Sequence, residues 1–228
     1  HGGAQDLKTA ASYFERSAEM GGRTGLYNLG LAYFHGQGVP KSVDRALALW
    51  RRSAALGFHP AMNWLGTLYD RGWGVERDAD EAIRWFIRAR DAGSVDAINN
   101  LGILFRDGIG VVRDTDKAMA YFAEADRLGH IMAPINMAAL LEKEPPIARD
   151  DQRIFELYFK AAQRGLAHAQ SNVGRLYENG TGIGKDLSKA YMWYAVAKDG
   201  NSGQAQFIDP QGERRAKLIA ERAMRQLA

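Results

Sequence analysis

Glycine recurs along this chain at a fixed interval. Gly21, Gly57, Gly93, Gly129 and Gly165 stand 36 residues apart with no insertion between them. Gly30, Gly66, Gly102 and Gly174 keep the same interval, with Ala138 filling the missing place. A third column is Gly36, Gly72, Gly108 and Gly180, with Glu144 in the gap. A fourth is Gly2, Gly38, Gly74, Gly110 and Gly182, with Pro146 in the gap. These columns take 18 of the 25 glycines, so the excess is architectural rather than the mark of flexible linkers. A strict period of this length points to a repeat array, in which each unit buries its apolar face only by stacking on its neighbours.

Other columns hold the same register. Leu29, Leu65, Leu101, Met137 and Val173 precede the second glycine column, and Tyr33, Tyr69, Phe105, Leu141 and Tyr177 follow it three residues later. Ala10, Ala46, Ala82, Ala118 and Ala190 form a small-residue column interrupted by Ile154. Beyond it lie the aromatic pairs Tyr13-Phe14, Trp85-Phe86, Tyr121-Phe122 and Trp193-Tyr194.

Each unit reads as two helices. Ala61, Leu65, Leu68 and Tyr69 make an apolar stripe at helical spacing, and Gly72-Trp73-Gly74 ends it. A second stripe, Ala82, Trp85, Phe86 and Ala89, follows and stops at Gly93. Asp6, Ser42, Asp78, Asp114, Asp150 and Asp186 recur where a second helix starts and are expected to cap it, Glu81 completing a capping box with Asp78. The glycine after each second helix suits a left-handed C-terminal position, which Asn201 takes in the last unit. The glycine of each Leu-Gly pair is expected to let helices approach closely.

These residues resemble the Sel1-like repeat, a 36-residue relative of the tetratricopeptide repeat, in a bacterial member. The pattern stands here as Ala61, Leu65-Gly66, Tyr69, Gly72, Gly74-Val75, Asp78, Ala82, Trp85-Phe86, Ala89 and Gly93. The resemblance implies an all-α fold, a right-handed α-solenoid of antiparallel helix pairs that binds other proteins. The solenoid is assigned to 1–210, as a half unit at 1–21 and units at 22–57, 58–93, 94–129, 130–165 and 166–201. The stretch 132–164 is degenerate, with Glu144-Pro145-Pro146 in place of the Gly-x-Gly turn, and an altered local geometry is expected there.

The ends carry their own expectations. The helix at 6–20 matches a second helix without its first-helix partner, so upstream sequence or another chain is expected to cover it. Residues 203–208 start another first helix, which Asp209-Pro210 breaks. Residues 211–228 hold five basic and two acidic groups, which leaves 25 of each sign in 1–210. A neutral body argues against a nucleic-acid partner, which needs many phosphates neutralised. Within 211–228, Ala216, Ile219, Ala220, Ala223 and Leu227 fall on one side of a basic helix. That helix reads first as a cap on the last repeat; the other reading, contact with an anionic membrane or acidic partner, gains little area from an alanine-rich stripe.

Catalytic chemistry finds little to stand on. There is no cysteine, hence no disulfide, thiol nucleophile or Cys-zinc site. The five histidines show neither His-x-x-x-His nor HExxH spacing, so neither a metal nor a cofactor is expected. Gly180-Thr-Gly-Ile-Gly-Lys185 imitates a phosphate loop, but Asn179 and Asp186 occupy the places of its first Gly and its Ser/Thr. No apolar run approaches the ~18 residues of a membrane span, so no integral membrane segment is expected. Asn28, Asn100, Asn136 and Asn172 recur within first helices and suggest backbone hydrogen bonding between units.

Binding remains. By analogy with tetratricopeptide arrays, first helices line a concave face. This places Tyr27, Leu31 and Phe34 there in the first unit, Asn63, Thr67 and Asp70 in the second, and Asn99, Ile103 and Arg106 in the third. All nine are expected to point away from the core, the first three as an outward apolar stripe suited to a peptide or partner helix. An alternative has N-terminal sequence covering that stripe. Farther along, Ile135 and Ala139 give way to Glu142, Arg175 and Glu178, and Trp73 and Ile109 at turn tips form a second candidate edge. The family resemblance implies an interaction scaffold or regulator in envelope assembly, polarity or signalling, in a periplasmic or other extracytoplasmic place. The alternative it implies is an immunity or inhibitor protein clasping a toxic enzyme. Weak hydrolysis of cell-wall derivatives, a third reading, would need a nucleophile or metal cluster that the sequence does not show.

Overall fold

A computed structural model describes residues 2–143 and 149–200. The expected cap at 211–228, the Asp209-Pro210 break, Asn201 and the Glu144-Pro145-Pro146 segment lie outside the described residues. The described residues form eleven α-helices and no strand. First helices of the repeat are α2 (Arg23–His35), α4 (His59–Arg71), α6 (Val95–Asp107), α8 (Ala133–Leu141) and α10 (Ala167–Asn179). Second helices are α1 (Gly2–Glu19), α3 (Val43–Ala55), α5 (Ala79–Asp91), α7 (Thr115–Arg127), α9 (Asp151–Gln163) and α11 (Leu187–Gly200). The chain divides into two compact units, His1–Tyr121 and Phe122–Ala228, with α7 running across the division.

In three of the repeats, an aromatic ring on the second helix lies on the bare backbone of the first. A Cβ on Gly66 would sit 2.7 Å from the Phe86 ring, and one on Gly174 would sit 2.8 Å from the ring of Tyr194. Gly30 meets Trp50 in the same way, and there the indole Nε1 also donates to the Tyr27 carbonyl at 3.1 Å. The Leu-Gly glycine is thus a close-approach point between the two helices of one hairpin. Phe14, Trp50, Phe86, Phe122, Tyr158 and Tyr194 share one register position. Phe86 is buried among Ala82, Ala89, Ala97, Leu101 and Leu104 in the first compact unit. In the second unit, Tyr158 and Tyr194 are buried, as are Ile154, Leu157, Val173 and Leu176.

The turn glycines do different work. Gly72 ends α4 at φ +67°, a left-handed position that a Cβ disfavours, and its N–H bonds back to the Leu68 carbonyl. Gly74 follows at φ +73° and lies so close to Val43, at the start of the preceding α3, that no Cβ fits. Gly110 bears the same relation to Ala79, and Gly182 to Asp151. In these repeats one glycine column closes the hairpin, while Gly74, Gly110 and Gly182 stack the turn on the repeat before it.

The caps largely follow expectation. Ser42, Asp78, Asp114, Asp150 and Asp186 each accept the backbone N–H three residues on, at 2.8–3.3 Å. Asp6 does not, because α1 already begins at Gly2 and Asp6 falls inside it. Nor does Glu81 reach back to complete its box. The Asp78 N–H donates instead to the Tyr69 carbonyl at 3.0 Å, and Glu81 pairs with Arg84. Ser42, Asp114 and Asp186 repeat that bond to Tyr33, Phe105 and Tyr177, so the cap residue ties the start of the second helix to the end of the first. The degenerate repeat is altered at its first helix. α8 has 9 residues where the other first helices have 13.

Two outcomes follow for stability. Gly66→Ala is expected to cost about 1–3 kcal/mol in urea unfolding, because its Cβ overpacks the Phe86 ring. Backbone N–H groups of Lys117 and Lys189 hold the carboxyls of Asp114 and Asp186 below the usual carboxylate range, helped by the lysine ammonium groups. A carboxyl depressed in the folded state stabilises above its ordinary pKa, and that contribution disappears as pH falls through the folded value. Urea midpoints measured from pH 6 to pH 3 are therefore expected to fall less steeply in an Asp114→Asn/Asp186→Asn variant than in the parent.

Candidate functional site

All nine expected binding residues lie in the first compact unit, on α2, α4 and α6. The structure brings Tyr27 and Phe34 into one connected tier, and the connector is Trp64. Trp64 Nε1 donates to the Tyr27 hydroxyl at 3.0 Å, and its ring stacks on Trp50 with centroids 5.3 Å apart at 16°. Phe34 sits among Trp50 and Trp64, each at 5.6 Å, and Trp73 at 6.3 Å. Phe58 meets the Tyr27 ring edge-on at 5.3 Å. Burial holds the Tyr27 hydroxyl above its ordinary pKa against the opposing Trp64 hydrogen bond, so it stays protonated and neutral.

The outward apolar stripe is therefore half-buried. Tyr27, Leu31 and Phe34 pack against the core of the first unit, because the next first helix brings Trp64 and Phe58 up beside them. Trp73 carries the tier to solvent, with 47% of its surface exposed. Its neighbour is Phe34 of the preceding repeat, at the end of a first helix. Trp73, from the second candidate edge, thus meets the apolar stripe in one aromatic tier, whereas Ile109 packs instead on the cluster of Phe86 and Leu101.

The polar members are held locally. Asn63 Oδ1 accepts from Asn100 Nδ2 at 3.0 Å, linking α4 to α6 side chain to side chain. In the second compact unit, Asn172 turns back on its own helix to the His168 carbonyl. The recurrent asparagines thus act otherwise than by backbone bonds between units at both places. Thr67 bonds the Asn63 carbonyl four residues back. Asn99 is 6% exposed, which removes it from the solvent-facing set expected of it. Ile103 is half-buried, and Arg106 forks onto Asp107 with two bonds of 2.7 Å.

Asp70 differs from its register mates. Glu142 and Glu178, at the same position in the second compact unit, each accept a tyrosine hydroxyl at 2.9 Å, from Tyr158 and Tyr194. Glu142 also holds Arg175. Burial and the Glu142 carboxylate push the Tyr158 hydroxyl well above its ordinary pKa, so it remains a donor. At Asp70 the corresponding ring is Phe86, with no hydroxyl, and Ile103 stands where Arg175 would. Asp70 Oδ1 is buried without a hydrogen-bond partner, while Arg71 and Arg77 stand 3.2 and 3.9 Å from the carboxylate oxygens. The first unit's face therefore combines rings and amides with one under-coordinated carboxylate.

Trp50 and Trp64 were not singled out by sequence reasoning. Trp64 had a signal: it is the break in the column Asn28, Asn100, Asn136 and Asn172. Among the described residues, no group of three or more His, Asp and Glu could hold a metal ion. No described helix is long and apolar enough to cross a membrane.

The Sel1 repeat family model matches residues 1–22, 24–58, 59–94, 95–130, 135–166 and 167–202. Among solved structures, the chain is similar to c5321, a protective antigen present in uropathogenic Escherichia coli strains and displaying an SLR fold. Identity is 26% and the TM-score 0.77, over 96% of this chain and 49% of that one, so the chain spans about half its length. A Sel1 repeat protein from Oxalobacter formigenes is 22% identical with a TM-score of 0.74, over 95% and 94% of the two chains. The immunity protein Pa5087 from Pseudomonas aeruginosa is 19% identical with a TM-score of 0.55, over 87% and 80%. These last two likenesses are of fold alone. No curated protein matches the chain in a sequence comparison. Matches over six stretches spanning most of its length place the chain in the Sel1 repeat family.

Proposed function

We propose that this chain is an interaction module that takes a peptide or helix of a partner protein on the first-helix face of its first compact unit. Sel1 repeat proteins generally mediate protein–protein interaction and are typically non-enzymatic. The observation that carries the finer reading is the aromatic tier. Trp73 is exposed, yet it adjoins the half-buried Phe34 and through it Trp50 and Trp64. A rigid aromatic anchor backed by packed rings is the usual form of an interface hot spot, because it loses little side-chain entropy on binding. The proposed face also takes in Tyr27, Leu31, Asn63, Thr67, Asp70, Ile103 and Arg106 of the first helices, while Asn99, 6% exposed, is left out of it.

The inhibitor reading draws on the immunity protein among the similar structures. That likeness is of fold at 19% identity, and a scaffold role stands first.

A photo-crosslinking residue at position 73, with position 52 on the exposed side of α3 as control, tests the site in native extract. A discrete protein adduct from 73 alone is expected, and with that partner in hand Trp73→Ala weakens binding by about tenfold or more. The urea midpoint should fall only modestly, since the variant loses one ring contact, Trp73 on Phe34, worth about 0.5–1.5 kcal/mol. Equal adducts from both positions, or unchanged affinity in Trp73→Ala, would remove the site.

A further inference from the structure

Two repeats seat one of their own lysines between an aromatic ring and a helix cap. Lys117 Nζ stands 5.4 Å from the centroid of the Phe105 ring and 3.4 Å from the Asp114 carboxylate. Lys189 bears the same relation to Tyr177 and Asp186, at 5.5 and 3.3 Å. In the first repeat Arg45 lies over Tyr33 at 5.2 Å and donates to its hydroxyl, with Ser42 as the cap. The backbone fixes ring and cap side by side, because the cap N–H donates to the carbonyl of the ring residue in each case. Where Leu141 replaces the ring, Arg153 turns to Glu156 instead.

Tyr69 and Asp78 share that backbone bond, at 3.0 Å, but the residue in the cation's place is Glu81. Glu81 pairs with Arg84, and Arg51 of α3 reaches the Tyr69 hydroxyl at 2.7 Å. Tyr69 and Asp78 both line an open groove of about 760 Å³, together with Val75, Glu76, Asp80 and Gly110. Arg77, also at its wall, turns to Asp70, whose carbonyl accepts its Nε at 2.8 Å. The register places of Glu81 hold Arg45, Lys117, Arg153 and Lys189, and those of Glu76 hold Pro40, Val112, Ala148 and Gly184. Two carboxylates thus stand where the other repeats have a cation and an uncharged residue. Ring, cap and space remain, and the cation is replaced by its opposite.

We propose that Tyr69 and Asp78 seat a lysine or arginine side chain of a partner protein, in the place that Lys117 and Lys189 fill in their own repeats. The ring face attracts the cation and the cap carboxylate bonds it, while Glu76, Asp80 and Glu81 supply the field that draws it in.

Titration of the whole chain with the peptides acetyl-Gly-Lys-Gly-amide and acetyl-Gly-Arg-Gly-amide, followed by NMR of the Tyr69 ring and the Val75 methyls, tests this. At least one peptide should give saturable shifts with a millimolar Kd at low salt, weakened about threefold or more in 0.5 M NaCl. The lysine peptide acetylated at Nζ keeps the stem without the charge and should give none. Glu81→Lys copies the other repeats and gives up only an exposed ion pair, so its urea midpoint should stay near the parent value. By refilling the seat it should weaken the peptide about fivefold or more, whereas Glu81→Gln, which removes charge but leaves the seat open, should weaken it less. No saturable shift with either peptide would overturn the proposal, as would equal binding of the acetylated peptide. Unchanged affinity in Glu81→Lys, or equal losses in the two variants, would overturn it too. The titration needs no partner captured at Trp73, so this seat and the Trp73 site stand or fall separately.

Discussion

The seat of an aromatic ring on a glycine, seen in the hairpins of Gly30, Gly66 and Gly174, sets the geometry on which the rest of the array depends. Phe86 on Gly66 and Tyr194 on Gly174 bring two helices closer than any side chain at those glycines would allow. Burying such a ring contributes about 1.5–3 kcal/mol, and repetition spreads that gain along the chain. The close approach also fixes where the second helix begins. The backbone N–H of Ser42, Asp78, Asp114 and Asp186 can then reach a first-helix carbonyl, while the same residue's side chain caps the helix it starts. The next turn, through Gly38, Gly74, Gly110 or Gly182, stacks on the repeat before it.

Much of this was legible from the columns, because a residue that only glycine can replace leaves a periodic trace. The helix pairs, the stop glycines and five of the six caps follow from local rules. Asp6 departs because α1 starts upstream of it, which spacing alone does not reveal. Glu81 departs because its cap partner's N–H is already engaged by Tyr69 across the hairpin, a long-range contact. The asparagine column misled in a similar way. Its members share a register position but answer to different neighbours, Asn63 for Asn100 and the His168 carbonyl for Asn172.

The binding face was legible only in outline. Analogy places Tyr27, Leu31 and Phe34 away from the core of their own hairpin, yet the next repeat brings Phe58 and Trp64 against them. Packing between repeats thus converts an apparent surface stripe into the floor of a tier that reaches water at Trp73. The second compact unit treats the same register differently. A tyrosine in place of phenylalanine at 158 and 194 satisfies Glu142 and Glu178 from within. Phe86 and Ile103 leave Asp70 without a tyrosine hydroxyl or the corresponding arginine, so two register columns separate a self-satisfied polar face from one with a buried, unpartnered carboxylate oxygen.

A double-mutant cycle on Gly66 and Phe86, read by urea unfolding, tests the ring-on-glycine contact most directly. If the ring sets the approach of the helices, Gly66→Ala is costly in the parent and much cheaper in a Phe86→Leu background. The coupling would then be about 1 kcal/mol or more, within the range seen for residues in direct contact. Additive effects, within about 0.3–0.5 kcal/mol, would show that the glycine and the ring act independently and would contradict it.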